Sequence, residues 1–176
     1  MTLHIALLRG VNVGGRSSLP MASLREVAGD LGYDDVRTYI QSGNLLCRTP
    51  KGAATVEREL QQAIAERCGV TTDVIVRTRA QLAKVVAGNP FLARGADPKH
   101  LHVVFTAAKA KVPLTDLERY APEEVQAIGK ELYLLLPNGA GRSKLAVDLG
   151  RKAGAGVGTM RNWNTVRKLL AMADGG

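Results

Sequence analysis

Two spacings of apolar residues alternate along residues 1–78, and their order restricts the folds open to this chain. Short runs typical of β-strands occupy four stretches: 2–8, 36–41, 44–48 and 73–77. Between the first and second runs, and again between the third and fourth, apolar residues recur every three or four positions, which predicts a helix in each interval. The resulting order of strand, helix, strand, strand, helix and strand is that of a ferredoxin-like unit, with its helices on one face of an antiparallel sheet.

The sequence after residue 78 begins with a similar order. Thr78-Arg79-Ala80-Gln81 has the form of a capping box and opens a predicted helix. Strands are predicted over three further stretches: 101–106, 125–128 and 132–136. Pro113 suits the first turn of a helix between the first two of these strands, and Ser143 can cap a short helix that follows the third.

The end of the chain completes the predicted fold without a fourth strand in this second set. A glycine-rich connection over residues 153–158 leads to a last helix with Trp163 and Leu169 facing inward. The predicted class is therefore α/β, of the α+β kind, with antiparallel sheets in two ferredoxin-like units and a C-terminal helix. The units are predicted at 1–78 and 79–176, and the second is incomplete because a helix replaces its final strand.

Composition limits the class of protein. A chain of 176 residues with 45% hydrophobic content can bury a substantial core. No stretch approaches the roughly 18 uninterrupted apolar residues of a membrane-spanning helix. The first residues lack the basic region of a signal peptide, so we expect a cytoplasmic protein with no membrane partner. Cys47 and Cys68 lack the C-x-x-C spacing of zinc and redox sites and are expected to be core residues.

Positive charge is concentrated near the end of the chain. The net charge is +8, and residues 141–176 contain seven Lys or Arg against two Asp, which accounts for five of the eight. A second glycine loop, residues 137–144, carries Arg142 into a helix start in this part of the chain. Clustered cations attract phosphate groups, whose counterions are released on binding. The distribution indicates an anionic partner near this segment, whereas the alternative is a solvated basic surface.

The loop that follows the first predicted strand combines glycines with arginines. Residues 10–17 read Gly-Val-Asn-Val-Gly-Gly-Arg-Ser, which differs from a phosphate-binding P-loop because Arg16 stands in place of lysine. Pro20 predicts a later helix start than a P-loop requires, so ATP hydrolysis is not expected. Exposed amides of such a loop can still hold an anion, with Arg9 or Arg16 supplying charge. Alternatively, the glycines serve only a tight strand-to-helix turn.

Neutral hydrogen-bonding side chains lie at the predicted hairpin between the second and third strands. Gln41 and Asn44 each combine a donor with an acceptor, so together with Ser42 they can read an amide, a base edge or a sugar. The alternative is that Ser42-Gly43 only makes a two-residue turn. Both interpretations are open at this point.

The start of the last predicted helix has the highest density of polar binding groups. Arg161, Asn162 and Asn164 lie there, where unpaired backbone amides favour phosphate or carboxylate and an arginine can act as a bidentate clamp. The alternative is that an asparagine only caps the helix while Trp163 anchors it in the core.

Signatures of catalysis and of metal binding are poor. The sequence lacks the G-x-S-x-G and H-E-x-x-H motifs, and it lacks paired carboxylates at a spacing suited to general acid and base chemistry. His100 and His102 share a face of a predicted strand, but a third ligand is not identifiable, so neither a metal site nor a cofactor is predicted. Catalytic residues are unassigned, and whether the protein is an enzyme is open.

Six segments, taken together and in order, resemble the bacterial family named domain of unknown function 1697: Leu-Leu-Arg-Gly-Val-Asn-Val-Gly-Gly at 7–15, Leu-Pro-Met at 19–21, Tyr-Ile-Gln-Ser-Gly-Asn at 39–44, Asn-Pro-Phe at 89–91, Gly-Arg-Ser-Lys-Leu at 141–145 and Arg-Asn-Trp-Asn-Thr at 161–165. The resemblance implies a duplicated α/β fold in a cytosolic protein, and it implies no activity. The characteristic segments of the family map here onto polar residues in predicted loops: Arg9, Asn12, Gln41, Ser42, Asn44, Arg161, Asn162 and Asn164.

The leading hypothesis is a protein that binds a phosphate-bearing partner, either a nucleotide-like small molecule or nucleic acid. The predicted binding groups are the first glycine loop, the hairpin at 41–44 and the helix start at 161–165, with Arg142 as a further cation. One alternative is an enzyme on a small anionic substrate oriented by Arg9 and Arg161, and another is a structural or interaction module without a ligand. Phosphate contacts predict a steep loss of affinity with salt, whereas an enzyme predicts a deep pocket with a perturbed titratable group. The oligomeric state is not predicted.

Overall fold

The computed structural model describes residues 1–153 and 158–175. The chain forms two compact units: unit 1 contains Met1–Ala83 together with the end of the chain from Leu169, and unit 2 contains Lys84–Lys168. Among the described residues, no helix is long and apolar enough to cross a lipid bilayer.

Unit 1 is built on a four-stranded antiparallel sheet. Its elements, in chain order, are β1 (Thr2–Leu8), α1 (Met21–Asp30), β2 (Asp34–Tyr39), β3 (Asn44–Thr49), α2 (Ala53–Cys68) and β4 (Val74–Thr78). The strands lie in the order β2-β3-β1-β4, and each neighbouring pair is antiparallel. The order of strands and helices predicted for this half of the chain is therefore confirmed.

The apolar core of unit 1 explains the helical spacing in its sequence. Helix α2 buries three side chains, one turn apart, against the sheet: Val56, Leu60 and Ile64. They meet Ala6 and Leu8 on one face of β1, and burying each large aliphatic side chain contributes about 2 kcal/mol. Ile5 and Leu7 point to the other face, because side chains alternate along a strand, and they too are fully buried. The end of β1, residues 5–8, is therefore apolar on both faces.

Unit 2 repeats the sheet but not the set of helices. Its strands are β5 (Leu101–Phe105), β6 (Glu124–Ile128), β7 (Glu131–Leu135) and β8 (Thr159–Asn162), in the order β6-β7-β5-β8 with antiparallel neighbours. The remaining helices are α3 (Arg79–Ala87), α4 (Pro90–Ala93), α5 (Lys144–Ala153) and α6 (Trp163–Ala173). The boundaries between the units fall within two helices. Helix α3 begins in unit 1 and ends in unit 2, whereas α6 begins in unit 2 and ends in unit 1.

Unit 2 is incomplete, but in a different way from the one predicted. Its final strand is present as β8, which pairs with β5 so that Arg161 lies opposite Val103. The helix predicted from Pro113 is wrong, because the described residues between β5 and β6 contain only a 3₁₀ turn at Leu117–Tyr120. Asp116, just before that turn, has a left-handed φ of 55°, which an α-helix cannot accommodate. Strand β8 is short and polar, so pairing with β5 decides its structure rather than an apolar pattern.

The start of β8 depends on a close approach between two strands. Most of the predicted glycine-rich connection at 153–158 lies outside the described residues, but Gly158 is among them. A Cβ atom at Gly158 would lie 2.2 Å from the carbonyl oxygen of Phe105 in β5. Only glycine fits at this distance, so Gly158 sets the point at which the chain joins the sheet.

The predicted starts of α3 and α5 are confirmed. The Gln81 amide donates to Thr78 Oγ1 (3.2 Å), and the Thr78 amide donates to Gln81 Oε1 (2.9 Å), which is the reciprocal pattern of a capping box. At α5 the Ala146 amide donates to Ser143 Oγ (2.9 Å). Each cap satisfies amides that would otherwise lack an acceptor in the first helical turn.

Candidate functional site

Three chain segments meet at one end of the sheet of unit 1. There β1 leaves the sheet, β2 turns into β3, and β4 enters. The Leu8 amide donates to the Gly43 carbonyl (2.9 Å), and the Arg9 amide donates to the Asp73 carbonyl (3.0 Å), so the segments are joined through their backbones. We call residues 9–17, 40–44 and 72–73 the loop cluster. It contains the site residues predicted in this unit: Arg9, Asn12, Gln41, Ser42 and Asn44.

The glycine run of the loop cluster forms a small hairpin of its own. The Arg16 amide donates to the Val13 carbonyl (3.1 Å), and these two residues form an isolated β-bridge. Gly14 and Gly15 between them have φ angles of 59° and 72°, the two positive values of a type I′ turn. Helix α1 begins only at Met21, so the loop does not lead directly into a helix as a P-loop does. The glycines therefore serve a tight turn.

Asn12 ties this small hairpin to the β2–β3 connection. Its side-chain amide donates to the carbonyls of Leu19 (2.8 Å) and Gln41 (2.7 Å), and its Oδ1 accepts from the Leu19 amide (2.8 Å). Its φ of 55° is a left-handed conformation that asparagine tolerates better than most residues. Asn12 is therefore a positioning residue that holds the tips of two loops together.

The β2–β3 connection is longer than predicted. It turns over four residues, 40–43, rather than over Ser42 and Gly43 alone. Asn44 is fully buried, and its amide donates to the Tyr39 carbonyl (2.9 Å) and to Ser42 Oγ (3.0 Å). The Asn44 side chain closes the turn, because one amide group satisfies an acceptor at its start and another within it.

Gly43 lets this connection pack directly on the first loop. Its φ is 85°, in the region that favours glycine. A Cβ atom at this position would lie 2.6 Å from Val11 Cγ2 and 2.8 Å from Leu8 Cβ. Any larger residue at position 43 must therefore push the two loops apart.

Two arginines give the loop cluster its positive charge. Arg16 is exposed, and its side chain makes no hydrogen bond or ion pair within the described part of the chain. Arg9 is partly exposed, and its Nη1 lies 3.6 Å from Asp73 Oδ2. The Thr72 hydroxyl holds the Arg9 backbone by donating to its carbonyl (2.7 Å). Exposed ion pairs contribute at most about 1 kcal/mol, so the pair of Arg9 with Asp73 adds little to stability.

Two aliphatic side chains project from the loop cluster beside these polar groups. Val13 is 63% exposed and Ile40 is 49% exposed. Ile40 has a φ of 47°, and a β-branched residue in the left-handed region is strained by about 1–2 kcal/mol. Sequence reasoning missed both residues, because it assigned Ile40 to a strand and treated Val13 only as part of the glycine loop. The available signal for Val13 was the Gly14-Gly15 pair that follows it, because a glycine pair of this kind predicts a two-residue hairpin.

Arg161, the main cation predicted in unit 2, lies in β8 and not at a helix start. The strand continues through Asn162, and α6 begins at Trp163. The Arg161 guanidinium is buried and donates to Thr159 Oγ1 (2.6 Å) and to the Met160 carbonyl (3.0 Å). Burial disfavours the charged form and lowers the pKa of Arg161 to about 10, which leaves the group charged at neutral pH.

The other residues predicted in unit 2 lie near the starts of α5 and α6. Asn162 caps α6, because its Oδ1 accepts from the Thr165 amide (2.8 Å), and the neighbouring Trp163 is almost fully buried. The alternative of a capped and anchored helix therefore describes this segment. Asn164 is exposed in the first turn of α6, and Arg142 is exposed at the end of a 3₁₀ turn before α5.

Arg142 and Arg161 belong to different faces of the sheet of unit 2. Helix α5, which follows Arg142, packs Leu145 into the same apolar core as Met160. Side chains alternate along β8, so Arg161 points away from that core. The structure does not join these two cations into one cluster. The ligand contacts predicted for this unit stay predictions: Arg142, Arg161, Asn162 and Asn164.

Strongly perturbed titratable groups occur in the apolar core of unit 1. The Tyr33 hydroxyl donates to Glu59 Oε2 (2.6 Å), and Lys51 Nζ lies 2.9 Å from the same oxygen. Burial, together with this hydrogen bond, raises the pKa of Tyr33, and the hydrogen bonds from Tyr33 and Lys51 lower the pKa of Glu59. Burial raises the pKa of the Cys47 thiol to about 12, as expected for a core cysteine.

A similar combination occurs in unit 2. The Tyr120 hydroxyl donates to Asp148 Oδ2 (2.7 Å), and Arg119 Cζ lies 4.8 Å from the centroid of the Tyr120 ring. The hydrogen bond from Tyr120, aided by the charge of Arg119, lowers the pKa of Asp148. His100 lies in a 3₁₀ turn before β5, so the predicted strand face shared with His102 is wrong. Within the described ranges, no three His, Cys, Asp or Glu side chains meet in a way that could hold a metal ion.

Comparison with known proteins gives the chain one matching family and a similar solved structure. A family model described as "Protein of unknown function (DUF1697)" matches residues 1–133. The structure of the conserved bacterial protein SP0830 from Streptococcus pneumoniae is similar over 98% of both chains, with a TM-score of 0.73. Its sequence is 19% identical, so the likeness is one of fold. No curated protein matches the chain. The matched range ends before the segments at 141–145 and 161–165, on which part of the sequence resemblance rests.

Proposed function

The chain belongs to the DUF1697 family, whose description names no activity, and on that premise we propose that it binds a phosphate-bearing ligand through the loop cluster of unit 1. One observation carries the proposal: Arg9 and Arg16 lie, accessible to solvent, on one loop that Asn12 ties to the β2–β3 connection. Arginine is well suited to phosphate, because its planar guanidinium donates two parallel hydrogen bonds to a pair of phosphate oxygens.

Backbone groups of the glycine hairpin support the same assignment. Within the described residues, the amides of Gly14 and Gly15 make no hydrogen bond, so both are available to an external acceptor. Amides at an exposed turn form concave donors for anions. Asn12 and Asn44 act indirectly, because their side chains fix the loops in place before a ligand arrives and so reduce the entropy lost on binding.

The two alternatives explain less of this arrangement. A structural module without a ligand accounts for Asn12 and Asn44, whose side chains bond to the protein itself, but gives no role to the exposed Arg16. An enzyme is expected to hold a titratable group with a perturbed pKa at its site. Among the described residues, the pKa values raised furthest are those of Tyr33 and Cys47, which lie in the apolar core. Binding therefore accounts for more of the loop cluster than either alternative.

The test is binding of ATP and of a fluorescein-labelled oligonucleotide, measured across a range of salt concentrations. We expect Arg16→Ala and Arg9→Ala each to weaken binding and to lower the slope of log affinity against log salt by about 1. Arg58→Ala is the matched control, because Arg58 is an exposed arginine in α2 and its loss changes the net charge equally. Affinity that survives removal of both Arg9 and Arg16 would exclude the proposed site, as would an equal loss in the Arg58→Ala variant.

A further inference from the structure

We infer that the phosphate-bearing partner of the loop cluster is a nucleic acid duplex, and that Ile40, with Val13 beside it, forms an apolar wedge that enters between base steps. The inference rests on the proposed function and specifies its ligand class. It starts from the two exposed aliphatic side chains, which the phosphate contacts of Arg9 and Arg16 do not explain.

The two aliphatic tips belong to loops that are held together. Asn12, next to Val13, donates its side-chain amide to the carbonyl of Gln41, next to Ile40. The β-bridge between Val13 and Arg16 places their side chains on the same face of the small hairpin. The backbone of the small hairpin therefore places the aliphatic Val13 next to the cationic Arg16.

The backbone conformation of Ile40 is strained, and packing in the free protein buries only about half of the residue. Its φ of 47° is unfavourable for a β-branched side chain, and Ile40 stays 49% exposed, so apolar burial is incomplete at a strained position. Asparagine or glycine at this position would relieve the strain, since both adopt left-handed φ more easily. Strained backbone positions cluster at binding sites. Contact with a partner would remove the exposed surface of Ile40 from water.

The shape and chemistry of the tips favour a duplex over other phosphate-bearing ligands. Proteins that bind single strands stack bases on aromatic rings, whereas both tips here are aliphatic. A free nucleotide is usually held in a concave pocket, whereas Val13 and Ile40 project. Aliphatic wedges that enter between base steps from the minor groove are an established way to bend a duplex, and phosphates line both sides of that groove for Arg9 and Arg16.

Neutral polar groups at the same tip distinguish the duplex from a lipid surface. Gln41 is exposed next to Ile40, and its side-chain amide offers both donor and acceptor groups. Base edges and sugars in the minor groove offer hydrogen-bond partners to such groups, whereas a hydrocarbon interior would leave them unsatisfied. The overall charge of +8 suits either surface, so the polar groups decide between them.

The experiment uses the full chain and a DNA duplex of about 20 base pairs carrying 2-aminopurine, whose fluorescence rises when its base step is unstacked. We expect the wild-type protein to raise this fluorescence on binding. Ile40→Asn should abolish the rise and weaken binding about tenfold, while the salt slope stays unchanged. Ile128→Asn is the matched control, because Ile128 is 41% exposed at the β6–β7 hairpin of unit 2 and should be silent.

The outcomes separate this inference from the function on which it rests. A fluorescence rise that persists in Ile40→Asn overturns the wedge, and so does a wild-type protein that binds ATP through Arg16 but does not bind the duplex; phosphate binding stands in both cases. Failure to bind ATP, the duplex and the single strand overturns the proposed function as well. Binding to anionic phospholipid vesicles that depends on Ile40, without duplex binding, overturns the duplex and assigns the tip to membranes.

Discussion

Units 1 and 2 are each built on a four-stranded sheet, and the two sheets differ at the end where the first strand leaves. Both place their strands in the same antiparallel order. Both also bury an arginine on the last strand opposite an aliphatic residue of the first, Arg77 opposite Ile5 and Arg161 opposite Val103. The repetition indicates that these arginines belong to the architecture of the fold, and sequence reasoning missed Arg77 because nothing local distinguishes it.

In both units the loop that leaves the first strand is attached to the hairpin between the second and third strands by one equivalent backbone bond, and the further attachments differ. In unit 2 the Thr106 amide donates to the Lys130 carbonyl (2.9 Å), and the Ala110 amide donates to the Gly129 carbonyl (2.8 Å). In unit 1 the Leu8 amide donates to the Gly43 carbonyl (2.9 Å) in the same way, and the further attachments are a close contact at Gly43 and the side chain of Asn12. A sheet of this strand order can therefore carry a loop end held by a second backbone bond, or one held by an asparagine side chain that leaves Arg16 and Ile40 exposed.

The largest expected difference in stability between the units concerns Gly43 and Lys130, whose carbonyls accept a hydrogen bond from the end of the first strand. Gly43→Ala introduces both a positive-φ penalty and a clash with Leu8 and Val11, and should cost about 3 kcal/mol or more. Lys130→Ala, at the equivalent place in unit 2, changes only an exposed side chain and should stay within about 0.5 kcal/mol. Urea unfolding followed by circular dichroism measures both. Equal costs would show that the loops of unit 1 separate without penalty.

The next largest difference in stability concerns the side chains that hold the loops, Asn12 in unit 1 and Thr106 in unit 2. Asn12→Ala removes hydrogen bonds to Leu19 and Gln41 and should destabilise the protein by about 2 kcal/mol. Thr106→Ala removes hydroxyl bonds but keeps the backbone bond to Lys130, so about 1 kcal/mol is expected. Hydrogen exchange at the Leu19 amide should accelerate in the Asn12 variant only. Unchanged protection of that amide would mean that Asn12 does not hold the loop.

The helices after the last strands should behave alike in the two units. Thr78→Ala removes the cap of α3, and Asn162→Ala removes the cap of α6, each at a cost of about 1 kcal/mol. Thermal unfolding measures both losses. A markedly larger loss at Asn162 would indicate that this residue contributes more than a cap.

The smallest effects concern the two tyrosine–carboxylate pairs. The folded-state pKa values of Glu59 and Asp148 are lowered, first by hydrogen bonds from Tyr33 and Tyr120. A carboxyl group with a lowered folded pKa adds stability above its unfolded pKa, and this stability is lost as pH falls through the folded pKa. Tyr33→Phe and Tyr120→Phe should therefore raise the pKa of the partner carboxyl and flatten the acid limb of the stability curve. Titration by carbon NMR reports each pKa, and an unchanged value would rule out the pairing.

The part of the fold that sequence predicted well is the part with strong local signals. Strand β1 is a short apolar run that ends at a glycine-rich loop, helix α2 carries apolar residues one turn apart, and the capping box at Thr78 and Gln81 marks the start of α3. Strand β8 could not be predicted, because its residues are mostly polar and only pairing with β5 makes them a strand. The error moved Arg161 from a buried strand position to an exposed helix start.

The loop cluster was predicted as a set of residues but not as a structure. Polar groups next to glycines indicated Arg9, Asn12 and Gln41, and the structure brings all of them to one end of unit 1. Sequence could not show that Asn12 is occupied by backbone groups, since that depends on residues distant in the chain. It also could not show the exposure of Ile40, which follows from its left-handed backbone.

Because Cys47 is buried, its thiol can report the opening of the core of unit 1 without any substitution. A thiol reacts as its thiolate, so a pKa raised to about 12 together with complete burial makes Cys47 inert in the folded protein, whereas Cys68 is partly accessible. A maleimide reagent should label Cys68 at once and Cys47 only when β3 separates from α1 and α2. Mass spectrometry of the doubly labelled fraction over time would then give the rate at which the interior of unit 1 becomes accessible, with and without a bound ligand.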